Sequence, residues 1–293
     1  MPLELNHKNI NKNIHGFTLI ELSIVIVIIG LVVGGIIVGN DLISSTELRA
    51  TISQAEQYST ASNTFRLKYN NFLPGDIPDP YANQFGLAAR GTLAGQGDGN
   101  GILEGYNGTP PIVNFGWVQS AGETAMFWVD LSSSGLISGN FNTAKSDLVP
   151  GSPISSSNMG LYFPPARIGK ANYFYAYSPW SAFGLPSTNY IGTSAPLTID
   201  SANSCAWCMT SNPNIKVNQA DTIDKKIDDG VANKGKVIAM YANSIAFGDQ
   251  GTGWSVNAAT DSAATCFNSA SGKYSVGNNK GEGLNCGISF QLQ

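Results

Sequence analysis

An uninterrupted apolar run near the N-terminus constrains this chain more than any other feature. From Leu22 to Gly39 only Ser23 is polar, and no charged residue follows until Asp41. Counted from Phe17, the run is about 22 residues long, which as an α-helix gives roughly 33 Å at about 1.5 Å per residue. The run therefore predicts a helix that is long enough to cross the hydrocarbon core of a membrane.

An acidic residue, Glu21, stands at the front of this run. A carboxylate in an apolar helix costs a few kcal/mol unless it finds a partner, so it is a candidate functional residue. The alternative is a plain anchor whose acid lies near the positive pole of the helix. A secretory signal peptide fits less well, because its apolar region would be about 7–15 residues long and would end at a small-residue cleavage site. From the residues alone, a plain anchor and a specialised segment both remain open.

The six residues from Gly16 to Glu21, Gly-Phe-Thr-Leu-Ile-Glu, resemble the processing site of type IV pilins and type II secretion pseudopilins. A short polar leader ends in Gly16, Phe17 follows, and Glu21 opens the apolar helix. The resemblance implies that a prepilin peptidase cleaves between Gly16 and Phe17 and that the new Phe17 amine is N-methylated. It also implies that the helix first lies in the inner membrane and later forms the core of a filament.

The resemblance also gives Glu21 a partner. Cleavage creates an amine at Phe17, only about 6 Å of helix away. In a filament of staggered parallel helices, Glu21 of one subunit reaches the Phe17 amine of its neighbour. Each charge is costly alone in an apolar core, and removing one partner costs more than the pair contributes. Glu21 is therefore predicted to act in assembly.

The composition favours an exported protein that is not an enzyme. The chain has 293 residues, a net charge of −4, 12% charged residues and 33 glycines, which suits a loop-rich β protein. It lacks the basic footprint of a nucleic-acid-binding protein. Its two histidines, His7 and His15, both precede the cleavage site, so the mature chain would hold no histidine for a catalytic triad or a zinc site.

Four cysteines remain, at positions 205, 208, 266 and 286. An exported chain meets an oxidising compartment, so disulfides are favoured over zinc, which usually needs a second close pair or added histidines. Pilin-like domains often close their C-terminal part with a disulfide, and the resemblance therefore implies a Cys266–Cys286 bridge. Such a bridge closes a loop of about 20 residues and contributes roughly 3 kcal/mol. A Cys205–Cys208 bridge is the second prediction, and a thioredoxin-like redox role for that pair is the weaker alternative.

A glycine-dense stretch offers a candidate calcium site. Asp98 and Asn100 supply side-chain oxygens, Ile102 could supply its carbonyl, and Glu104 follows. Oxygens at alternating positions suit calcium, and glycine permits the tight turn. The stretch does not complete the loop of an EF-hand, and a solvated turn rich in Asp, Asn and Gly is the favoured alternative. No other cofactor is predicted.

The pattern along the chain predicts a pilin-like α+β fold. A long N-terminal helix, half membrane-spanning and half amphipathic, would pack on an antiparallel β-sheet head with large loop insertions. The predicted divisions are a leader over 1–16, a transmembrane and filament-core helix over 17–39, the amphipathic half over 40–72 and the head over 73–293. Within the head, the sequence predicts helices over 122–137 and 217–230, an antiparallel pair over 171–177 and 189–193, and strands over 236–242 and 287–292.

By resemblance, the chain is expected to be a homo-oligomeric subunit of a helical filament. Its expected partners are the prepilin peptidase, an inner-membrane assembly platform and, before assembly, the membrane itself, which it crosses once. Afterwards it would lie in a cell-surface or periplasm-spanning filament. A type II secretion pseudopilin is one alternative. A minor pilin or tip adhesin that binds surfaces or glycans is another, with Trp180 and Phe183 as candidate aromatic contacts.

Overall fold

A computed structural model describes most of the chain and divides it into two compact units, Met1–Thr46 and Glu47–Gln293. The described residues are 16–93, 95–105, 117–146, 153–179, 188–200, 209–245, 247 and 251–292. Helix α1, Leu19–Lys68, contributes to both units.

The first unit contains the apolar half of α1. Among the described residues, α1 is the one helix that is long and apolar enough to span a membrane, with a mean hydropathy of 3.0 over an 18-residue window. Apolar side chains are exposed on every side of this half, from 50% at Val25 to 88% at Leu19. A helix that is apolar all round requires an apolar environment. The predicted N-terminal hydrophobic helix is confirmed.

The second half of α1 is amphipathic within its own unit. It buries Leu48, Ala55, Tyr58 and Phe65, at spacings of three or seven residues that keep them on one face. The helix ends at Lys68. Beyond it, Asn70 and Asn71 adopt left-handed backbone angles with φ of 53° and 66°, a conformation that asparagine tolerates better than most residues.

The remaining elements of this unit are short helices and strands. They are α2 (Tyr81–Gln84), α3 (Gly122–Ser133), β1 (Ile154–Ser155), β2 (Tyr173–Tyr177), β3 (Tyr190–Ile199), β4 (Met209–Asn212), α4 (Val217–Ile227), β5 (Val237–Ile238), β6 (Met240–Ala242), β7 (Thr252–Trp254), β8 (Asn257–Ala258), β9 (Phe267–Asn268) and β10 (Ile288–Gln291).

Strand β3 lies at the centre of the main sheet. Its first half pairs antiparallel with β2 on one side and β10 on the other, since Gly192 faces both Tyr175 and Ser289. Its second half pairs with β4 and β1, and β10 also pairs with β5. The antiparallel pair predicted over 171–177 and 189–193 corresponds to β2 and β3. The predicted α+β fold, a long helix followed by an antiparallel sheet, is confirmed.

Several predicted elements differ from the structure, and the helix expected over 217–230 ends at Ile227. The helix expected over 122–137 stops at Ser133, because Gly135 takes a φ of 69° and Leu136 donates its N–H back to the Leu131 carbonyl. This is a common way to end a helix. The single strand expected over 236–242 is two strands, β5 in the main sheet and β6 paired with β7 in a separate one.

Aromatic rings join the amphipathic half of α1 to the rest of its unit. The Tyr58 ring meets Trp128 of α3 edge-on at 5.0 Å between centroids and Phe174 of β2 at 5.3 Å. Such edge-to-face pairs contribute about 0.5–1.5 kcal/mol beyond their burial. Tyr58 therefore anchors the helix to both α3 and the sheet.

Gly192 lets two tyrosines lie flat across the centre of β3. A Cβ atom at this position would come within 2.4 Å of the Tyr175 ring and 2.9 Å of the Tyr177 ring. Both rings are fully buried, and their hydroxyls find partners at 2.8 Å, Tyr175 with Ser194 and Tyr177 with Ser289. Only glycine leaves room for this arrangement.

A disulfide closes the C-terminal part of the chain. Cys266 and Cys286 are bonded and fully buried, 20 residues apart. Cys286 also exchanges both backbone hydrogen bonds with Ile215, just before α4. The predicted Cys266–Cys286 bridge is confirmed, whereas Cys205 and Cys208 lie outside the described residues.

Candidate functional site

The predicted assembly residue, Glu21, is held by the residue that precedes the helix. Both the backbone N–H and the hydroxyl of Thr18 donate to the Glu21 carboxylate at 2.8 Å. The Glu21 N–H donates back to the Thr18 hydroxyl at 3.3 Å. This reciprocal arrangement is a capping box, which satisfies N–H groups that the first turn of a helix leaves unpaired. Glu21 thus has a partner within its own chain.

The predicted cleavage site lies directly before this box. Gly16 and Phe17 precede the first helical residue, and the Phe17 side chain is 90% exposed. A peptide bond outside regular structure does not require helix unwinding before it is cut. The Gly16–Phe17 bond therefore lies just before Thr18, outside the helix, and Glu21 lies in the first turn of α1.

Comparison with known families matches this N-terminal segment. A family model described as "Prokaryotic N-terminal methylation motif" matches residues 11–37. This motif marks type IV pilins and pseudopilins. No curated protein and no solved structure shows a significant match to it.

The proteins that carry this motif, the pilins and pseudopilins, share several general properties. Proteins of this family are structural and are not enzymes. They are processed by a prepilin peptidase and assemble into filaments. The N-terminal hydrophobic helix and the motif together suit a chain that is anchored in a membrane before it enters a filament.

The predicted calcium ligands lie together in a loop that we call the acid loop, residues 95–105. The Asn100 amide donates to Asp98 at 3.1 Å and to Glu104 at 3.0 Å, so it bridges the two carboxylates. The Asn100 side-chain oxygen accepts the Ile102 N–H at 2.7 Å. These contacts order the acid loop, and calcium binding by Asp98, Asn100, Ile102 and Glu104 stays a prediction.

Two buried acids outside the acid loop approach it from other segments. Asp76 and Glu123 each bring a carboxylate oxygen into a group with Asp98 in which all such atoms lie within 4.8 Å of one another. Asp76 accepts the backbone N–H groups of Gly99 at 2.8 Å and Gly101 at 2.7 Å. The structure thus groups Asp98 with two acids that were not among the predicted ligands.

Glu123 holds both ends of the acid loop from the start of α3. Its carboxylate accepts the N–H of Gly97 and the N–H of Glu104, each at 2.9 Å. The Glu123 N–H in turn donates to the Gly95 carbonyl at 3.0 Å. The acid loop is therefore wrapped around this one carboxylate.

Burial dominates the electrostatics of the two added acids. Asp76 is 1% exposed, and loss of solvation raises its pKa to about 7, although the N–H groups of Gly101 and Gly99 oppose the rise. Glu123 is fully buried, and burial followed by the charge of Asp76 raises its pKa well above the ordinary range. Both groups favour a proton or another positive charge.

A buried ion pair fixes the turn that carries Asp76. The Arg90 guanidinium contacts both oxygens of Asp130 on α3 at 2.6 Å, and both side chains are fully buried. Asp130 also accepts the Gly75 N–H at 2.7 Å. A Cβ atom on Gly75 would lie 2.3 Å from the Glu123 carbonyl oxygen. Close contact with α3 thus positions Asp76 beside the acid loop.

The second acidic group of the described residues, on α4, serves a local structural role. Asp224 is buried and accepts the Tyr274 hydroxyl at 3.0 Å and the Gly230 N–H at 3.1 Å. Burial raises the pKa of Asp224 to about 6. Its neighbours Asp228 and Asp229 complete the group. The hydrogen bonds of Asp224 join α4 to the disulfide-closed segment.

Two tyrosines of β2 pack inside the head, and the two residues predicted as glycan contacts are not among the described ones. Tyr175 and Tyr177 are fully buried in the core. Trp180 and Phe183 lie outside the described residues. The strand aromatics therefore serve packing.

Proposed function

We propose that this chain is a processed subunit of a type IV pilus-like filament and that it assembles through its N-terminal helix. The observation that carries the proposal is the methylation motif followed directly by an apolar helix with exposed side chains on every side. Such a helix is stable only in lipid or beside other apolar helices. After cleavage at Gly16, assembly moves the helix from the lipid into contact with the apolar helices of other subunits.

Glu21 controls how the helices align when they leave the membrane and assemble. In the single chain its carboxylate is held by the Thr18 hydroxyl and N–H. Cleavage leaves a positive, N-methylated amine at Phe17. Within a bundle of copies, Glu21 then pairs with the Phe17 amine of a neighbouring subunit. An unpaired charge in an apolar core is costly, so only the register that pairs both charges is stable.

The partners follow from this route. The prepilin peptidase acts on the Gly16–Phe17 bond on the cytoplasmic side of the inner membrane. An inner-membrane platform then extracts the helix into a helical homo-oligomer. The product is a filament that lies on the cell surface or spans the periplasm.

Mass spectrometry of sheared filaments tests this proposal, with Glu21→Ala as the informative variant and Glu56→Ala as its control. Glu56 is an exposed acid on the same helix, outside the apolar run. We expect N-methylated Phe17 at the start of the exported chain, normal processing of Glu21→Ala, and filament loss in Glu21→Ala only. A functional filament built from the intact Met1 form would overturn the proposal, and normal filament yield from Glu21→Ala would refute the pairing.

The size of the head, residues 73–293, favours a specialised subunit as the second candidate, because a repeated shaft subunit does not need so large a head. Electron microscopy separates the candidates. Long fibres composed of this chain support a pilus shaft, and rare incorporation at fibre ends with glycan binding by the processed chain supports a minor pilin or adhesin. A secretion defect without fibres in a deletion strain supports a type II secretion pseudopilin.

A further inference from the structure

The acid loop contains a reactive dipeptide, Asn100–Gly101. In an Asn-Gly pair the glycine nitrogen can attack the asparagine side-chain carbon, because no Cβ atom hinders its approach. Gly101 has open space around its Cα, and both residues are exposed. By sequence and exposure alone, this pair would be a site of spontaneous deamidation.

In the folded structure a hydrogen bond restrains the Gly101 nitrogen, which is the atom that would attack. The Gly101 N–H donates to the buried Asp76 carboxylate at 2.7 Å. To attack, the nitrogen must turn away from Asp76 and give up this hydrogen bond, and a carboxylate beside it repels the negative charge that develops on the nitrogen. Asp76 therefore suppresses the nucleophile.

The electrophile is held as well. The Asn100 amide nitrogen is bound to Asp98 and Glu104, and its oxygen accepts the Ile102 N–H at 2.7 Å. To bring its side-chain carbon to the Gly101 nitrogen, Asn100 must break all three contacts. Both reacting groups are thus restrained by the same loop geometry.

We propose that Asn100 is a deamidation site and that Asp76 prevents the reaction while the head is folded. When the loop opens, the Gly101 nitrogen bonds to the Asn100 side-chain carbon, the bond from that carbon to the amide nitrogen breaks, and ammonia leaves with the proton from Gly101. Water then adds to either carbonyl carbon of the resulting succinimide, the bond from that carbon to the Gly101 nitrogen breaks, and the nitrogen takes a proton from the water. The products are aspartate or isoaspartate at position 100.

The modification would be one-way, because the product cannot rebuild the loop. An acid at position 100 loses the two N–H donors that bridge Asp98 and Glu104, and it adds a like charge to them. Isoaspartate also lengthens the backbone inside a loop that Glu123 and Asp76 hold at four N–H groups. The acid loop therefore stays open in every molecule in which Asn100 has deamidated.

Peptide mass spectrometry over time on the full processed chain in detergent tests this inference. In the folded wild-type chain we expect Asn100 to deamidate at least about tenfold more slowly than in the same chain unfolded by urea, since reaction requires local opening. Asp76→Asn should raise the folded-state rate toward the unfolded one. Asp79→Asn is the matched control, because this exposed acid contacts Arg90 and not the acid loop, and it should leave the rate unchanged.

Equal rates in folded and unfolded wild-type chain would overturn the inference, as would an unchanged rate in a folded Asp76→Asn chain. If circular dichroism shows that Asp76→Asn does not fold, amide hydrogen exchange of Gly101 in the wild-type chain decides. Protection of at least about tenfold supports the restraint by Asp76, and exchange at the unprotected rate removes it.

Discussion

At the scale of single residues, the head relies on buried charges that must keep their partners. Arg90 and Asp130 are both fully buried, and Asp130 also receives the Gly75 N–H. Such a pair contributes little net stability over an apolar pair of the same shape, but removal of one partner leaves an uncompensated charge. The pair therefore specifies one placement of the turn before Asp76.

Replacement of the cation alone should be strongly destabilising. We expect Arg90→Met to lower the free energy of unfolding by about 3–5 kcal/mol, because Asp130 would remain buried without a cation. Arg167→Met is the control, since this exposed side chain should change stability by no more than about 0.5 kcal/mol. Urea unfolding followed by circular dichroism measures both. Equal effects of the two variants would show that the buried pair does not matter.

Asp224 gives the stability of the head a pH dependence with a defined sign. Its pKa of about 6 lies above the ordinary aspartate value of about 3.9. The folded state therefore holds the proton more tightly, and the associated stability is present at low pH and lost as the pH rises from about 4 to about 6. Tyr274 and Gly230 restrain the same carboxylate.

Asp224→Asn should remove the pH-dependent contribution of this carboxyl group to the stability of the head. We expect the variant to lose less stability than the wild-type chain between pH 4 and pH 7, as measured by urea unfolding at both values. Asp79→Asn should follow the wild-type curve. Parallel curves for Asp224→Asn and wild type would contradict the assigned role of Asp224.

At the scale of elements, local patterns predict which segments are regular but not where each one ends or what it pairs with. The N-terminal apolar run predicts the first half of α1 because no charged residue interrupts it from Leu22 to Gly39. Leu136 and Ile137 extend the apparent pattern of α3, yet Gly135 turns the backbone before them. Strands β5 and β6 are one apolar run in sequence, and only the tertiary structure assigns them to different sheets.

The C-terminal disulfide links two segments of the head that are far apart along the chain. It ties Cys266, directly before β9, to Cys286, two residues before β10, and Cys286 is hydrogen-bonded to Ile215 near the start of α4. We expect the double variant Cys266→Ser and Cys286→Ser to lose roughly 3 kcal/mol of unfolding free energy, the loop-closure value for about 20 residues. Urea unfolding in oxidising buffer measures it. An unchanged midpoint would show that packing alone holds β10.

At the scale of the whole molecule, the two candidate sites differ in how far sequence can predict them. Glu21, Thr18 and the predicted cleavage bond lie within six consecutive residues, so local pattern suffices to predict them. The acids that join Asp98 come from distant segments: the hydrogen bonds of the acid loop span 23 residues to Asp76 and 26 to Glu123. No spacing rule links such positions, because the tertiary fold creates their proximity.

Calcium binding, predicted from Asp98, Asn100, Ile102 and Glu104, would act on the whole head because the acid loop is bound to α3 and to the turn before it. A ligand that binds only the folded state at about 100 times its Kd stabilises that state by about 2.7 kcal/mol. We therefore expect added calcium to raise the melting temperature of the chain and a chelator to lower it.

Two variants test this prediction: Asp98→Asn should abolish the shift in melting temperature, and Asp261→Asn should preserve it. No shift in the wild-type chain would remove calcium from this loop. A shift that survives Glu104→Gln but is lost in Glu123→Gln would instead assign the ligands to the group formed by Asp76, Asp98 and Glu123.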